Sequence, residues 1–171
     1  MRATIQILAG VAMMMTAPAF ADPAYKAQDV IEFFHKAKEA KLGASRAICF
    51  DDENNCKTAA PKPFDLMVNF EFDSDHLTPA AQTNLGEFAQ ALHDPQLKGQ
   101  KFAIDGFTDA TGTEVYNQHL SERRAEAVVS YLSVHGVDRA SLIAKGFGPT
   151  KPRAPDPFDP VNRRVETHLA E

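Results

Sequence analysis

The sequence predicts an α/β domain of the α+β sandwich kind. Helices alternate with strands on a compact sheet, preceded by an N-terminal helix and a loop closed by a disulfide. Three observations predict it. From Phe64 onward, short strand-like runs (DLMVNFEF, KFAIDGF, SLIAKGFG, NRRVETHLA) are separated by segments of helical spacing. Cap and breaker residues stand where those segments change character. The length of 171 residues, 44% of them hydrophobic, suits one domain with a real core plus an appendage.

Residues 1–21, MRATIQILAGVAMMMTAPAFA, are laid out as a secretory signal. Arg2 is the positive end, Ile5 to Met15 the apolar stretch, and Ala19-Phe20-Ala21 an A-x-A cleavage site before Asp22. The stretch is short for a bilayer span and Pro18 interrupts it, so cleavage and export are expected rather than anchoring. No Cys follows the cleavage point, so no lipid anchor is expected. In AYKAQDVIEFFHKAKEAK, Val30, Phe33, Phe34 and Ala37 recur at helical spacing, and Gly43 should end that amphipathic helix. Cys49 and Cys56 follow. Two nearby thiols pair in an oxidising compartment, and the short loop they close is worth about 2.5 kcal/mol. Metal binding would need two further ligands, and the spacing is not that of a C-x-x-C redox pair. Pro61 and Pro63 argue against a helix and set the domain boundary near Pro63, separating residues 22–63 from a domain over residues 64–171.

Within that domain, Leu66, Val68, Phe70 and Phe72 alternate, which predicts a strand. Asp73-Ser74-Asp75 turns the chain. Thr78 caps, and Pro79 begins, a helix carrying Leu85, Phe88, Ala89 and Leu92. KFAIDGF is the next strand, followed by a loop and a long helix that Gly136 stops. SLIAKGFG is another strand, the proline-rich KPRAPDPFDPVN a loop, and NRRVETHLA a closing strand. The formal charge is −5 at pH 7. An acidic chain without a clustered basic stripe argues against nucleic acid as a partner.

The long helix holds an anomaly. At about 100° per residue, Tyr116, Leu120, Ala127, Val128 and Tyr131 form one stripe. Gln118, His119, Glu122, Glu126, Ser130 and Ser133 lie opposite. Arg124 falls inside the apolar stripe with Asn117 and Ser121, and a buried cation costs several kcal/mol unless it is paired. Asp109 stands in the loop leading to this helix. Together with Arg124 it would offer a carboxylate for an ammonium and a guanidinium fork for a carboxylate, with Thr108, Asn117 and Ser121 as neutral partners. Such a constellation fits an amino acid held by both ends. On the residues alone, a permanent pair of Arg124 with Asp105, Asp109 or Asp75 stays open. Arg123 reads as a solvated charge.

These segments carry a resemblance. FEFDSD followed by Leu77-Thr78-Pro79, then GFTDATGTEVYNQHLSERRAEAVVSYL, Gly136-Val137, Gly146-Phe147-Gly148, Pro152 and Asn162-Arg163-Arg164-Val165-Glu166, in this order, resemble the OmpA-like C-terminal domain, the peptidoglycan-binding module of Gram-negative envelopes. The resemblance implies a βαβαβ-type domain with a small mixed sheet packed by helices, in a periplasmic protein, associated with the cell wall or outer membrane, that binds the meso-diaminopimelate of the wall's stem peptide. It assigns Asp109 and Arg124 to that ligand and places Asn117, Leu120, Asp75 and Thr108 around the same pocket. Arg163 is read as a second cation, inward-facing because it would share a strand face with Val165. Two departures stand out. Phe107 replaces the family's usual His and is expected to pack, and the segment from Lys151 to Pro160 lacks the Gly-Arg that often precedes Asn-Arg-Arg.

Two rival classes follow. Catalysis by a pair among Asp73, Asp75, Asp105 and Asp109 lacks supporting context, and no triad, cofactor site or metal-ligand spacing is evident, so no enzyme and no cofactor are expected. A protein–protein adaptor would use residues 22–62 as its contact with another envelope protein. The helix with Phe33 and Phe34 could pack on its own domain or on that partner.

Overall fold

The structure, a computed structural model, describes residues 24–44, 62–70 and 73–170. The expected signal segment, the Cys49–Cys56 disulfide and Phe72 lie outside the described residues. The elements are α1 (Ala27–Ala44), β1 (Phe64–Asp65), α2 (Pro79–Leu92), β2 (Phe102–Phe107), α3 (Glu114–Val134), β3 (Leu142–Gly146) and β4 (Arg164–Leu169). Short 3-10 turns cover Arg139–Ser141 and Pro160–Asn162. The sheet is mixed, in the order β1-β4-β2-β3. β2 and β3 are parallel, and β4 runs antiparallel to both β2 and β1. Helices cover one face, giving the two-layer α/β architecture expected.

Alternation along the strands divides the residues between the two faces. Phe102 and Ile104 of β2, Leu142 of β3 and Val165 of β4 join the apolar core with Leu85 and Phe88 of α2 and Val128 and Leu132 of α3. Asp105 and Phe107 point to the face away from these helices, where Lys145 and Glu166 flank Asp105 in register and Arg164 pairs with Phe107. Phe107 packs as expected. Its ring stacks on Phe147 at 5.3 Å between centroids, and the Arg164 guanidinium lies 3.9 Å over it.

Three expectations need correction. The first strand is shorter than its alternation suggests. Leu66 and Val68 are buried on schedule, but the ladder stops because the Asp65 carboxylate accepts the Met67 N–H at 2.9 Å and Met67 turns to φ +50°. Phe70 makes an isolated bridge with Leu77 instead. α1 runs one residue past Gly43. The buried face of α3 is turned about a quarter of the circumference from the expected stripe. Tyr116 is 41% exposed, while Asn117, Ser121, Ala125, Val129 and Leu132 are buried with Leu120, Arg124 and Val128.

The reason for that rotation is contact with the sheet. A Cβ on Gly106 would sit 2.3 Å from the Ser121 carbonyl oxygen, and one on Gly146 would sit 2.5 Å from the Glu122 nitrogen. Bare backbone at those points lets β2 and β3 lie directly against α3. Small Ser121 and Ala125, not the large apolar residues, form that face of the helix.

Candidate functional site

The site is built where β2 ends and α3 begins. β2 delivers Thr108 and Asp109 past its last residue, and the Thr108 N–H donates to the Gly148 carbonyl at 2.9 Å. Thr113 caps α3 by accepting the Tyr116 N–H at 3.2 Å. One turn in, the Asn117 amide donates to the carbonyls of Thr111 at 2.9 Å and Asp109 at 3.3 Å, folding the loop back over the helix start. Ser121 joins the same assembly, donating to Gln118 O and accepting the Gly148 N–H, both at 2.8 Å. The close packing at Gly106 and Gly146 therefore sets the distance between the Asp109 loop and the helix carrying Arg124.

Asp109 is 7% exposed. Its Oδ1 accepts the Thr111 N–H at 3.0 Å and its Oδ2 accepts from Arg163 Nη1 at 2.7 Å. Burial alone would raise its carboxyl, but the hydrogen bonds from Arg163 and Thr111, with the Arg163 charge, outweigh burial and hold it below the usual carboxylate range.

Arg124, also 7% exposed, donates from Nε to the Ser74 carbonyl at 3.0 Å, and its guanidinium carbon lies 4.9 Å from the centre of the Phe70 ring. Among the described residues no carboxylate lies within ion-pair distance of it, so the permanent pair with Asp105, Asp109 or Asp75 is not formed. Burial, then the nearby Arg163 charge, pulls its guanidinium below the usual range, partly offset by Tyr116, Asp109 and Asp73. Its two terminal nitrogens have no described protein partner and remain available to an anion.

Comparison with known proteins places the chain in a family. The model of the OmpA family matches residues 69–166. The chain belongs to the OmpA family. Outer membrane protein A of Klebsiella pneumoniae is 36% identical over 108 residues, covering 62% of this chain and 31% of that protein. The chain thus spans about a third of such relatives. Among solved structures, the peptidoglycan-associated lipoprotein from Burkholderia pseudomallei is 36% identical with a TM-score of 0.54, covering 60% of this chain and 88% of that one. The OmpA-like domain of FopA1 from Francisella tularensis is 28% identical with the same TM-score, over 61% of this chain and 73% of that one.

Within this OmpA-family fold, the residues singled out by sequence separate into groups. Asp109 and Arg163 touch, Asn117 holds the Asp109 loop, and Arg124 lies within electrostatic range of Asp109. Leu120 is buried one turn before Arg124. The Thr108 hydroxyl is buried with no hydrogen-bond partner among the described residues. Asp75 goes elsewhere: its carboxylate lies 3.6 Å from Arg123, which is therefore not a purely solvated charge. Arg163 sits just ahead of β4, not within it, and reaches Asp109 from an exposed position rather than pointing inward.

Sequence reasoning missed the Ser74 carbonyl, the Phe70 ring under Arg124 and the Tyr116–Asp73 hydrogen bond. It also missed Asn162 as an organiser. This fully buried amide accepts the N–H groups of Arg153 at 2.7 Å and Ala154 at 3.0 Å and donates to Asp156 O at 2.9 Å, giving the proline-rich loop a defined shape. The Ala110 N–H bonds Pro157 O at 2.9 Å and ties that loop to the Asp109 rim. The one signal for Asn162 was its place in Asn-Arg-Arg.

Proposed function

We propose that this protein binds peptidoglycan noncovalently through the meso-diaminopimelate of the stem peptide, after export to the periplasm by a cleaved leader over residues 1–21, and that it anchors or organises the envelope there. The observation that carries the reading is Arg124. It is a buried guanidinium with one carbonyl partner, no described carboxylate partner and two unengaged nitrogens, close to a buried Asp109. A ligand carboxylate would complete Arg124, and a ligand ammonium would face Asp109. Asn117 would hold the loop, with Leu120 as the apolar side. Thr108 would act through its backbone, since its hydroxyl is covered. Among the relatives, the Burkholderia protein is named for its association with peptidoglycan. No helix among the described residues is long and apolar enough to cross a membrane.

The test is sedimentation of the exported chain with purified diaminopimelate-type sacculi, beside Asp109→Ala and Arg124→Ala. Wild type should pellet with the wall, while both variants, shown folded by circular dichroism, should stay in solution. Equal pelleting of all three would make the two residues structural and place wall binding elsewhere on the domain, while pelleting of none would give the lead to the adaptor reading. Release of soluble wall fragments would point to an enzyme. Because the Asp109 carboxyl is held low, retention should persist through mildly acidic buffer. It should fall only below the ordinary carboxylate value, about pH 4.

A further inference from the structure

In this structure each carboxylate oxygen of Asp109 already accepts a hydrogen bond, Oδ1 from Thr111 N–H and Oδ2 from Arg163. Each oxygen keeps a second lone pair, but the Asp109 side chain is only 9% exposed and Arg163, half in solvent, meets it from the open side, so Arg163 stands on the approach an ammonium would use. Arg124 lies close enough to feel both Asp109 and Arg163. Asp73 also lies in range of Arg124, so two guanidinium groups meet two carboxylates, but Arg124 forms an ion pair with neither and attracts an anion, while Arg163 beside Asp109 opposes an ammonium.

The hold on Arg163 is uneven. Its backbone is fixed, because its N–H donates to Pro160 O at 3.0 Å and the preceding Asn162 is fully buried. Its side chain is 47% exposed and has Asp109 as its only partner among the described residues. The guanidinium can therefore leave Asp109 by rotation of its own side chain, with no backbone movement, and water is there to receive it. Asp109 cannot follow, since Thr111 holds its other oxygen.

We infer that Arg163 is an exchangeable counter-ion, and that the ammonium of the ligand displaces it from Asp109. The inference rests on the diaminopimelate reading of the site. It gives Arg163 a specificity role. Arg163 neutralises a buried carboxylate while the site is empty, and a cation must compete with it to enter. The carboxylate end of a ligand binds Arg124 without disturbing the pair. The ammonium end binds only at its expense.

The test compares two probes on the exported chain by calorimetry: meso-diaminopimelate, and pimelate, which keeps both carboxylates and lacks the ammonium groups. In Arg163→Gln the competitor is gone, which favours diaminopimelate, and a positive charge is gone, which disfavours pimelate. The preference for diaminopimelate over pimelate should rise by about fivefold relative to wild type, the scale of a partly exposed ion pair. An unchanged preference, with both probes weakened alike, would make Arg163 a plain carboxylate contact and overturn the exchange. A lower preference would make Arg163 a prop for Asp109 and overturn it too. In both cases diaminopimelate binding by wild type leaves the wall reading standing. If wild type binds neither probe, the diaminopimelate reading is withdrawn and the exchange with it.

Discussion

Asp105 and Asp109 stand four residues apart on the same run of chain, yet their surroundings drive their carboxyls in opposite directions. Asp109 meets two donors. Asp105, on the sheet face away from the described helices, has one oxygen 3.4 Å from His168 and the other buried without a partner among the described residues. Burial dominates and raises the Asp105 carboxyl, with Glu166 adding to the rise and His168, Lys145 and Lys151 opposing it. Linkage then gives opposite signs. A raised folded value means that Asp105 favours the fold when protonated, a contribution lost as pH climbs from the ordinary 3.8 through the folded value. A depressed value means that Asp109 favours the fold when ionised, a contribution lost as pH falls through its folded value. Asp105→Asn should therefore raise stability at neutral pH, by about 1 kcal/mol, since the amide removes a poorly solvated charge. The gain should vanish in acid, where the native carboxyl is already neutral. Urea titrations at neutral and acid pH check this. A less stable variant at neutral pH would mean that the His168 pair outweighs the burial cost.

Among the elements, the contact between α3 and the parallel pair β2–β3 does most to position the site. It depends on two glycines with no room for a methyl group. Gly106→Ala should cost about 3 kcal/mol, because the clash is with backbone of a packed helix and not with a movable side chain. It should also weaken wall binding in whatever protein remains folded, by shifting Asp109 relative to Arg124. Chemical denaturation and sacculus sedimentation check the two effects, and a variant as stable as wild type would show that α3 can shift freely. This contact also marks the limit of what the sequence made legible. β2, β3 and β4 were readable because their runs are short and bounded by turn residues, and the start of α2 because Thr78-Pro79 is a local cap signal. The face of α3 was not. Ranking by large apolar residues favours Tyr116 and Tyr131, whereas the sheet demands Ser121 and Ala125 opposite two glycines, a requirement set by another element. The burial of Arg124 was readable from Leu120 and Val128 on either side. Its Ser74 and Phe70 partners were not, because they arrive from a loop some 50 residues away with no periodicity linking the two. The early end of β1 depends on one Asp65 side chain competing for a backbone N–H, which alternation does not register.

On the scale of the whole molecule, α1 lies ahead of the segment matched by the family model and yet completes its core. Phe34 is 1% exposed, with its ring 5.1 Å from that of Phe102, 6.0 Å from Phe64 and 6.3 Å from Phe88. The Tyr25 hydroxyl donates to Leu66 O at 3.2 Å, and the Ala27 N–H to Glu87 at 2.8 Å. The apolar side of α1 that could have met a partner is thus spent inside the domain, and a partner of this helix would have to use its polar side. Phe34→Ala should cost about 3–5 kcal/mol by opening a cavity among three rings. It should lower the urea midpoint with little change in slope. The substitution acts at the Phe102 end of β2, while the site lies beyond Phe107 at the other end, about 17 Å along the strand. At that distance, with no shared partner, stability and binding should behave independently. Under conditions where Phe34→Ala is fully folded, its retention on sacculi should equal that of wild type. Lost retention in a folded variant would mean that α1 sets the position of the site through the sheet, so that the appended helix tunes wall binding as well as stabilising the domain.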